Sequence, residues 1–205
     1  MTQLKFVNRF LNSLFIFCTC FIIKSNAQQV GLLDSSFNSN GIVLYDYGSN
    51  WDFLRQIAIQ SDDKIVASGT TGNPSVNGFV VLRYNTNGTP DSTFDNDGQL
   101  ITAFDSMSFA WSVANAIQPD GKIVVGGFVE HSVTGNRYLA LARYDSIGVL
   151  DSTFDSDGKA IFRFNNKNSY CQSISIQTDG KIVVGGSVDY NSHYNSHYLT
   201  CRINS

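Results

Sequence analysis

An all-β fold built from three copies of one four-stranded unit is what this sequence predicts, on three observations. The first is composition. Of 17 acidic residues only Glu130 is a glutamate, and 17 glycines, 15 phenylalanines and 9 tyrosines accompany the aspartates. Aspartate and glycine favour turns over helices, and aromatic residues favour strands. The second is self-similarity at a period of roughly 60 residues. The third is that the apolar segments are apolar on both faces, with no helical periodicity after residue 27.

The chain of 205 residues opens on an address. Lys5 and Arg9 precede an apolar stretch from Phe10 to Ile23, broken only by Asn12, Ser13 and Thr19, and Ser25-Asn26-Ala27 supplies the small residues a signal peptidase reads. This pattern predicts a signal peptide over 1–27 and a secreted or cell-surface protein. The stretch is shorter than the ~18 unbroken apolar residues of a membrane helix, so no span is expected after cleavage. Phe17 before Cys18 is too bulky for a lipoprotein signal. Cleavage leaves Cys171 and Cys201. They fall on segments that are not neighbouring strands, which predicts two buried thiols rather than a bridge.

Residues 28–205 carry the repeats, with copies over about 33–90, 91–150 and 151–205. Asp34-Ser35-Ser36-Phe37-Asn38-Ser39-Asn40-Gly41 recurs as Asp91-Ser92-Thr93-Phe94-Asp95-Asn96-Asp97-Gly98 and as Asp151-Ser152-Thr153-Phe154-Asp155-Ser156-Asp157-Gly158. A hairpin signature runs Ala58-Ile59-Gln60-Ser61-Asp62-Asp63-Lys64-Ile65-Val66. It returns from Ala116 through Asp120-Gly121-Lys122 to Gly127, and from Ser175 through Asp179-Gly180-Lys181 to Gly186. Asp-Gly is a strong hairpin signal because glycine accepts positive φ; copy one has Asp63 there, which tolerates that region better than most residues. A third element reads Leu82-Arg83-Tyr84, Ala142-Arg143-Tyr144 and Cys201-Arg202-Ile203.

Each unit therefore predicts four strands. Ile57–Gln60 and Lys64–Ser68 are the first two. Phe79–Asn85 is the third, matched by Tyr138–Asp145 and Tyr198–Ile203. Gln99–Phe104 is the fourth, matched by Lys159–Phe164 and, upstream, by Ile42–Tyr47. Small sheets packed between neighbours are the physics of a β-propeller, here three four-stranded antiparallel blades of a partial or truncated ring. The third copy stops before its fourth strand, and Ile42–Tyr47 is expected to supply it. Propellers close with about 4–8 blades, so three arrangements compete: a longer protein with missing C-terminal blades, an open arc, or a homodimer of six blades. Truncation is favoured, because bare sheet edges and faces invite aggregation.

These residues resemble the delta-60 repeat family of bacterial β-propeller-like proteins. The resemblance rests on Asp-x-x-Phe-x-x-x-Gly, the Ile-Gln-x-Asp-Gly-Lys-Ile-Val-Val-Gly-Gly hairpin and the Ala-Arg-Tyr strand, and it covers nearly all of residues 33–205. This chain has Asn38, Asp95 and Asp155 where the family usually has glycine. The resemblance implies a blade-like fold in exported proteins and a non-catalytic role, and it carries over no catalytic residues.

The chemistry-bearing candidates are few. Asp91, Asp95 and Asp97, and Asp151, Asp155 and Asp157, place oxygens at alternating positions as calcium loops do, yet no bidentate glutamate follows and Thr93 occupies an expected ligand position. Capping of the turns by their own aspartates is the favoured alternative, and no cofactor is expected. His193 and His197 lie in a tandem duplication between two strands, where their spacing does not bring two imidazoles together for zinc. Arg83, Arg143 and Arg202 are expected to pair with Asp34, Asp91 or Asp151. Trp51 and Trp111 fall at matching places just before the hairpin, with Tyr170 in copy three, and a repeating core or rim aromatic is the expected role. No nucleophile elbow or phosphate loop occurs, and a net charge of −3 argues against nucleic acid.

The expected function is an exported, non-enzymatic binding or structural module for an unknown protein or glycan. Its loops Thr70–Gly78, Phe128–Arg137 and Ser187–His197 are the candidate contact surface. The alternative is a propeller-type hydrolase or lyase with a metal-dependent site.

Overall fold

The computed structural model describes residues 31–48, 51–73, 77–189 and 195–204. The leader at 1–27, His193 and parts of the first and third candidate loops lie outside them. Leu33 to Ser205 forms one compact unit. Among the described residues every regular element is a strand.

The first sheet contains β1 (Asp52–Ile59), β2 (Ile65–Thr71), β3 (Phe79–Tyr84) and β4 (Gln99–Thr102), hydrogen-bonded in that order. The second repeats it with β5 (Met107–Ile117), β6 (Ile123–His131), β7 (Arg137–Tyr144) and β8 (Lys159–Phe162). The third has β9 (Ser169–Ile176), β10 (Ile182–Asp189) and β11 (Ser196–Ile203). All pairings are antiparallel, and the innermost strand β5 lies beside both β1 and β9. This is a three-bladed portion of a β-propeller.

The hairpin turns form as their sequences dictate. Gly121 and Gly180 take φ of 86° and 83°, and Asp63 adopts the same left-handed conformation at 62°. Asn38, Asp95 and Asp155 likewise have φ of 47°, 46° and 48°, so the repeated Asp-to-Gly turns share one shape.

Alternation along the strands sends side chains to opposite faces, and each face meets a neighbour. Val66, Phe79, Val81, Phe94, Leu100 and Phe104 of blade one pack against Ile123, Val125, Tyr138, Ala140 and Tyr144 of blade two. Blade two's other face, with Val124, Leu139 and Leu141, meets Cys171, Ile174, Ile182 and Val184 of blade three. Cys171 and Cys201 are free thiols, on strands β9 and β11 that flank β10. Burial pushes the Cys171 thiol up to about 12.

Three expectations are corrected. Ile42–Tyr47 is not a strand and does not complete the third sheet, which has three strands among the described residues. Val43 and Tyr47 instead cover the outer face of blade one, on Ala67, Val80, Leu82 and Tyr84. Apolar residues on this segment find a buried face there, whereas the edge of β11 lies beyond blades two and three. Half of Phe128–Arg137 is strand, leaving a loop only at 132–136, because β6 and β7 stay paired out to Glu130 and Arg137. The innermost strands also begin earlier than Ile57 and its equivalents, extended by pairing with the ends of β2, β6 and β10.

Candidate functional site

The repeated aspartates serve two different tasks. Asp91 is buried; its Oδ1 accepts the Thr93 N–H at 3.1 Å and hydroxyl at 2.7 Å. Its Oδ2 meets Arg83 Nε at 2.7 Å and Lys64 Nζ at 3.0 Å. Burial alone would raise this carboxyl, but Thr93, Lys64 and Arg83 together hold it at about 2. Blade two repeats the arrangement: Asp151 meets Thr153, Arg143 at 2.9 Å and Lys122 at 3.8 Å. Each arginine also lies over the phenylalanine of the turn, Arg83 on Phe94 at 4.6 Å and Arg143 on Phe154 at 4.8 Å. The expected Arg–Asp pairing thus forms twice and clamps each turn to the third strand.

The other aspartates of these turns are exposed, and two of them cap their own turn. Asp97 accepts from Gln99 N–H and Nε2, both at 3.0 Å, and Asp157 accepts the Lys159 N–H at 2.9 Å. The Asp95 N–H donates to the Ile147 carbonyl of the next blade at 3.0 Å, and Asp155 occupies the equivalent backbone position. Among the described residues no three His, Cys, Asp or Glu side chains gather where a metal ion would be held.

A different cluster gathers at the end of the blades that carries the hairpins joining second to third strands. Each innermost strand bulges at an equivalent place: Arg55 between Leu54 and Gln56, Val113 between Ser112 and Ala114, and Gln172 between Cys171 and Ser173. Opposite the bulge stands a glycine, because backbone approaches it closely. A Cβ on Gly69, Gly127 or Gly186 would lie 2.1, 1.8 or 1.9 Å from the carbonyl oxygen of Phe53, Trp111 or Tyr170. Phe53, Trp111 and Tyr170 are therefore the equivalent positions. Trp51, matched to Trp111 from sequence, sits two residues upstream of Phe53, just before β1.

Those side chains form a continuous aromatic row across all three blades. Trp51 stacks on Phe53 at 5.6 Å and on Trp111 at 5.7 Å; Trp111 stacks on Phe128 at 6.1 Å, and Phe128 meets Tyr170 edge-on at 5.2 Å. Phe109 packs beside Trp111 and Phe128. Arg55 lies over Phe53 and Trp111, and Arg137 over Phe128. Glu130, the only glutamate of the chain, holds Arg137 Nε at 3.0 Å. Burial opposes the charge of Arg137, but Glu130 and Tyr170 outweigh it and raise its pKa. Burial, then the Asp189 carboxylate, pushes the Tyr170 phenol up. The row lines two adjoining clefts, one with Ser108, Trp111, Glu130 and Arg137, the other with Phe128, Tyr170, Gln172 and Asp189. Most of its rings are half-buried rather than sealed in the core.

The family described as "Domain of unknown function (DUF5122) beta-propeller" matches residues 60–94, 118–154 and 177–205, one match per blade. The chain is a β-propeller repeat protein. No curated protein matches it. The family matches cover the second and third strands of each blade and, in the first two, the start of the aspartate turn as far as Phe94 and Phe154. The aromatic row of this propeller lies mostly outside them, on the innermost strands. It offers flat apolar rings flanked by a guanidinium, a carboxylate and amide groups, which suits a ligand with one apolar face and several hydroxyls or amides.

Proposed function

We propose that this chain is an exported, non-enzymatic binding module of the delta-60 repeat type, and that its ligand is a glycan held along the aromatic row. The observation that carries the reading is the row itself. Half-buried tryptophan, phenylalanine and tyrosine rings span three blades beside a Glu130–Arg137 pair, where a core role would bury them completely. Pyranose rings present apolar C–H faces to aromatic rings and hydroxyls to carboxylate and guanidinium groups. The tripartite pattern of residues 1–27 supports export, which would place the row where extracellular polysaccharide is met.

Screening the purified protein against a glycan array, followed by calorimetric titration of the best ligand, tests this. Trp111→Ala and Phe128→Ala are expected to weaken binding at least tenfold while the thermal midpoint of Glu130→Gln stays near that of the parent. A ligand whose affinity ignores both substitutions, or an array without binding, rejects the glycan. Sequencing the exported chain should find Gln28 as its first residue.

A further inference from the structure

Two arginines lie against the aromatic row, and only one of them is neutralised. Arg137 lies over Phe128 and gives its Nε to Glu130 at 3.0 Å. Arg55 lies over Phe53 at 5.1 Å and over Trp111 at 4.9 Å. All 17 acidic side chains of the protein are on described residues, and none of them is ion-paired with Arg55. Asp52, on the same strand, is turned to the Tyr47 N–H at 3.0 Å. Among the described residues the Arg55 guanidinium has no hydrogen-bond acceptor either. Ring contacts hold a guanidinium by its flat faces and leave the N–H donors of its edge unused. Arg55 is exposed, so those donors and the whole charge stand open beside Trp111 of blade two.

The bulge of β1 puts the charge there. Its extra residue is an arginine, whereas the equivalent bulges of β5 and β9 carry Val113 and Gln172. The row is therefore unlike at its two ends. Arg55 is the free cation at the blade-one end, while Glu130 and Asp189 line the clefts toward blade three. Most of the remaining aspartates are in the hairpins that join first to second strands and in the Asp-to-Gly turns, which close the opposite end of the blades.

We propose that the glycan of the aromatic row is acidic, and that its anionic group, a carboxylate or a sulfate, seats on the guanidinium edge of Arg55. This rests on the glycan reading of the row. A guanidinium presents two parallel N–H donors that match two oxygens of one such group. A pyranose carrying the group still has an apolar C–H face for the neighbouring aromatic rings. Glu130 and Asp189 repel a second anion, so the sugar toward blade three is neutral and meets them with hydroxyl or amide donors.

Calorimetric titration of the purified protein with two matched pairs of ligands tests this. One pair is a hyaluronan hexasaccharide, in which glucuronate alternates with a neutral amide sugar, and its methyl ester. The other is a κ-carrageenan hexasaccharide, in which sulfated and unsulfated rings alternate, and its desulfated form. In one pair the acidic member is expected to bind about tenfold tighter or more, as a charge-assisted contact supplies, and which pair it is tells carboxylate from sulfate. Arg55→Gln should bring the two members of that pair to within about threefold of each other, and Arg55→Lys should restore only part of the preference, keeping the charge without the fork. Arg55 is exposed, so circular dichroism of both variants should match the parent. Neutral members that bind as tightly as the acidic ones in both pairs overturn the proposal and leave the glycan reading standing. A preference that survives Arg55→Gln overturns the assigned seat. Acidic members whose binding ignores Trp111→Ala and Phe128→Ala, or no binding by any of the four, reject the glycan reading and this proposal with it.

Discussion

Asp34–Gly41 and Asp91–Gly98 are nearly the same eight residues folded into the same turn, yet their surroundings differ. Both put an aspartate at the head, bonded to the hydroxyl and N–H two residues on, and both pass through positive φ at their fifth and sixth positions. Only the second has the arginine and lysine of a preceding strand upon it, and only its phenylalanine is fully buried. Turn shape is therefore local, written in Asx bonding and left-handed residues. The energetic role of the same aspartate is tertiary.

The largest expected effect breaks the clamp. Asp91→Ala leaves the buried Arg83 without its counter-ion, which costs about 3–5 kcal/mol. Asp34→Ala should change stability by about 0.5 kcal/mol or less, as exposed substitutions do. Urea unfolding of the two variants side by side checks the contrast. Similar losses would mean that the turn, not the clamp, carries the stability.

Much of this contrast is legible in the sequence. Three copies of each motif are enough to predict blades, hairpins and the Arg–Asp pairing, because those depend on neighbours close in sequence. The aromatic row is not. Its rings come together across blades, and the bulges at Arg55, Val113 and Gln172 set which side chains line up. A bulge leaves little trace in one sequence beyond the glycine opposite it, and Gly69, Gly127 and Gly186 are also read as ordinary strand glycines. Counting from Gln60 and Gln118 would have matched Trp111 with Phe53. The position of Ile42–Tyr47 is hidden for a similar reason: its apolar pattern says strand, but strand structure requires a paired edge, and among the described residues it has none.

Acid should dissolve the clamp from the carboxylate side. Asp91 is held at about 2, below its ordinary value near 4, so its contribution is full above pH 4 and is lost as the pH falls from about 4 through 2. A shift of that size corresponds to about 2 kcal/mol. The parent should lose this stability between pH 4 and 2, and Asp91→Asn, which has nothing to protonate there, should show a flatter curve over that window. Equal slopes for the two proteins would show that other carboxylates govern acid unfolding.

The smallest effect concerns the other repeated turn, where the surroundings are alike and the residue differs. Asp63, Gly121 and Gly180 occupy one position of the Gln-x-x-x-Lys hairpin, and all three have positive φ. In each copy the turn closes through the same two backbone bonds, as from Gln60 N–H to the Lys64 carbonyl and from Asp63 N–H to the Gln60 carbonyl. A side chain in the left-handed region pays a steric cost that glycine does not, about 1 kcal/mol for most residues and less for aspartate. Glycine gains more freedom in the unfolded chain, which offsets part of the relief. Asp63→Gly is therefore expected to stabilise blade one by roughly 0.5 kcal/mol, read as a small rise in urea midpoint at unchanged m-value. The converse change, Gly121→Asp in the middle blade, should cost a similar amount with the opposite sign. No side chain stands within 4 Å of a Cβ at Gly121, so its cost is purely one of backbone conformation. A gain at one site without the matching loss at the other would show that Asp63 is retained for its contacts, not tolerated in spite of its φ.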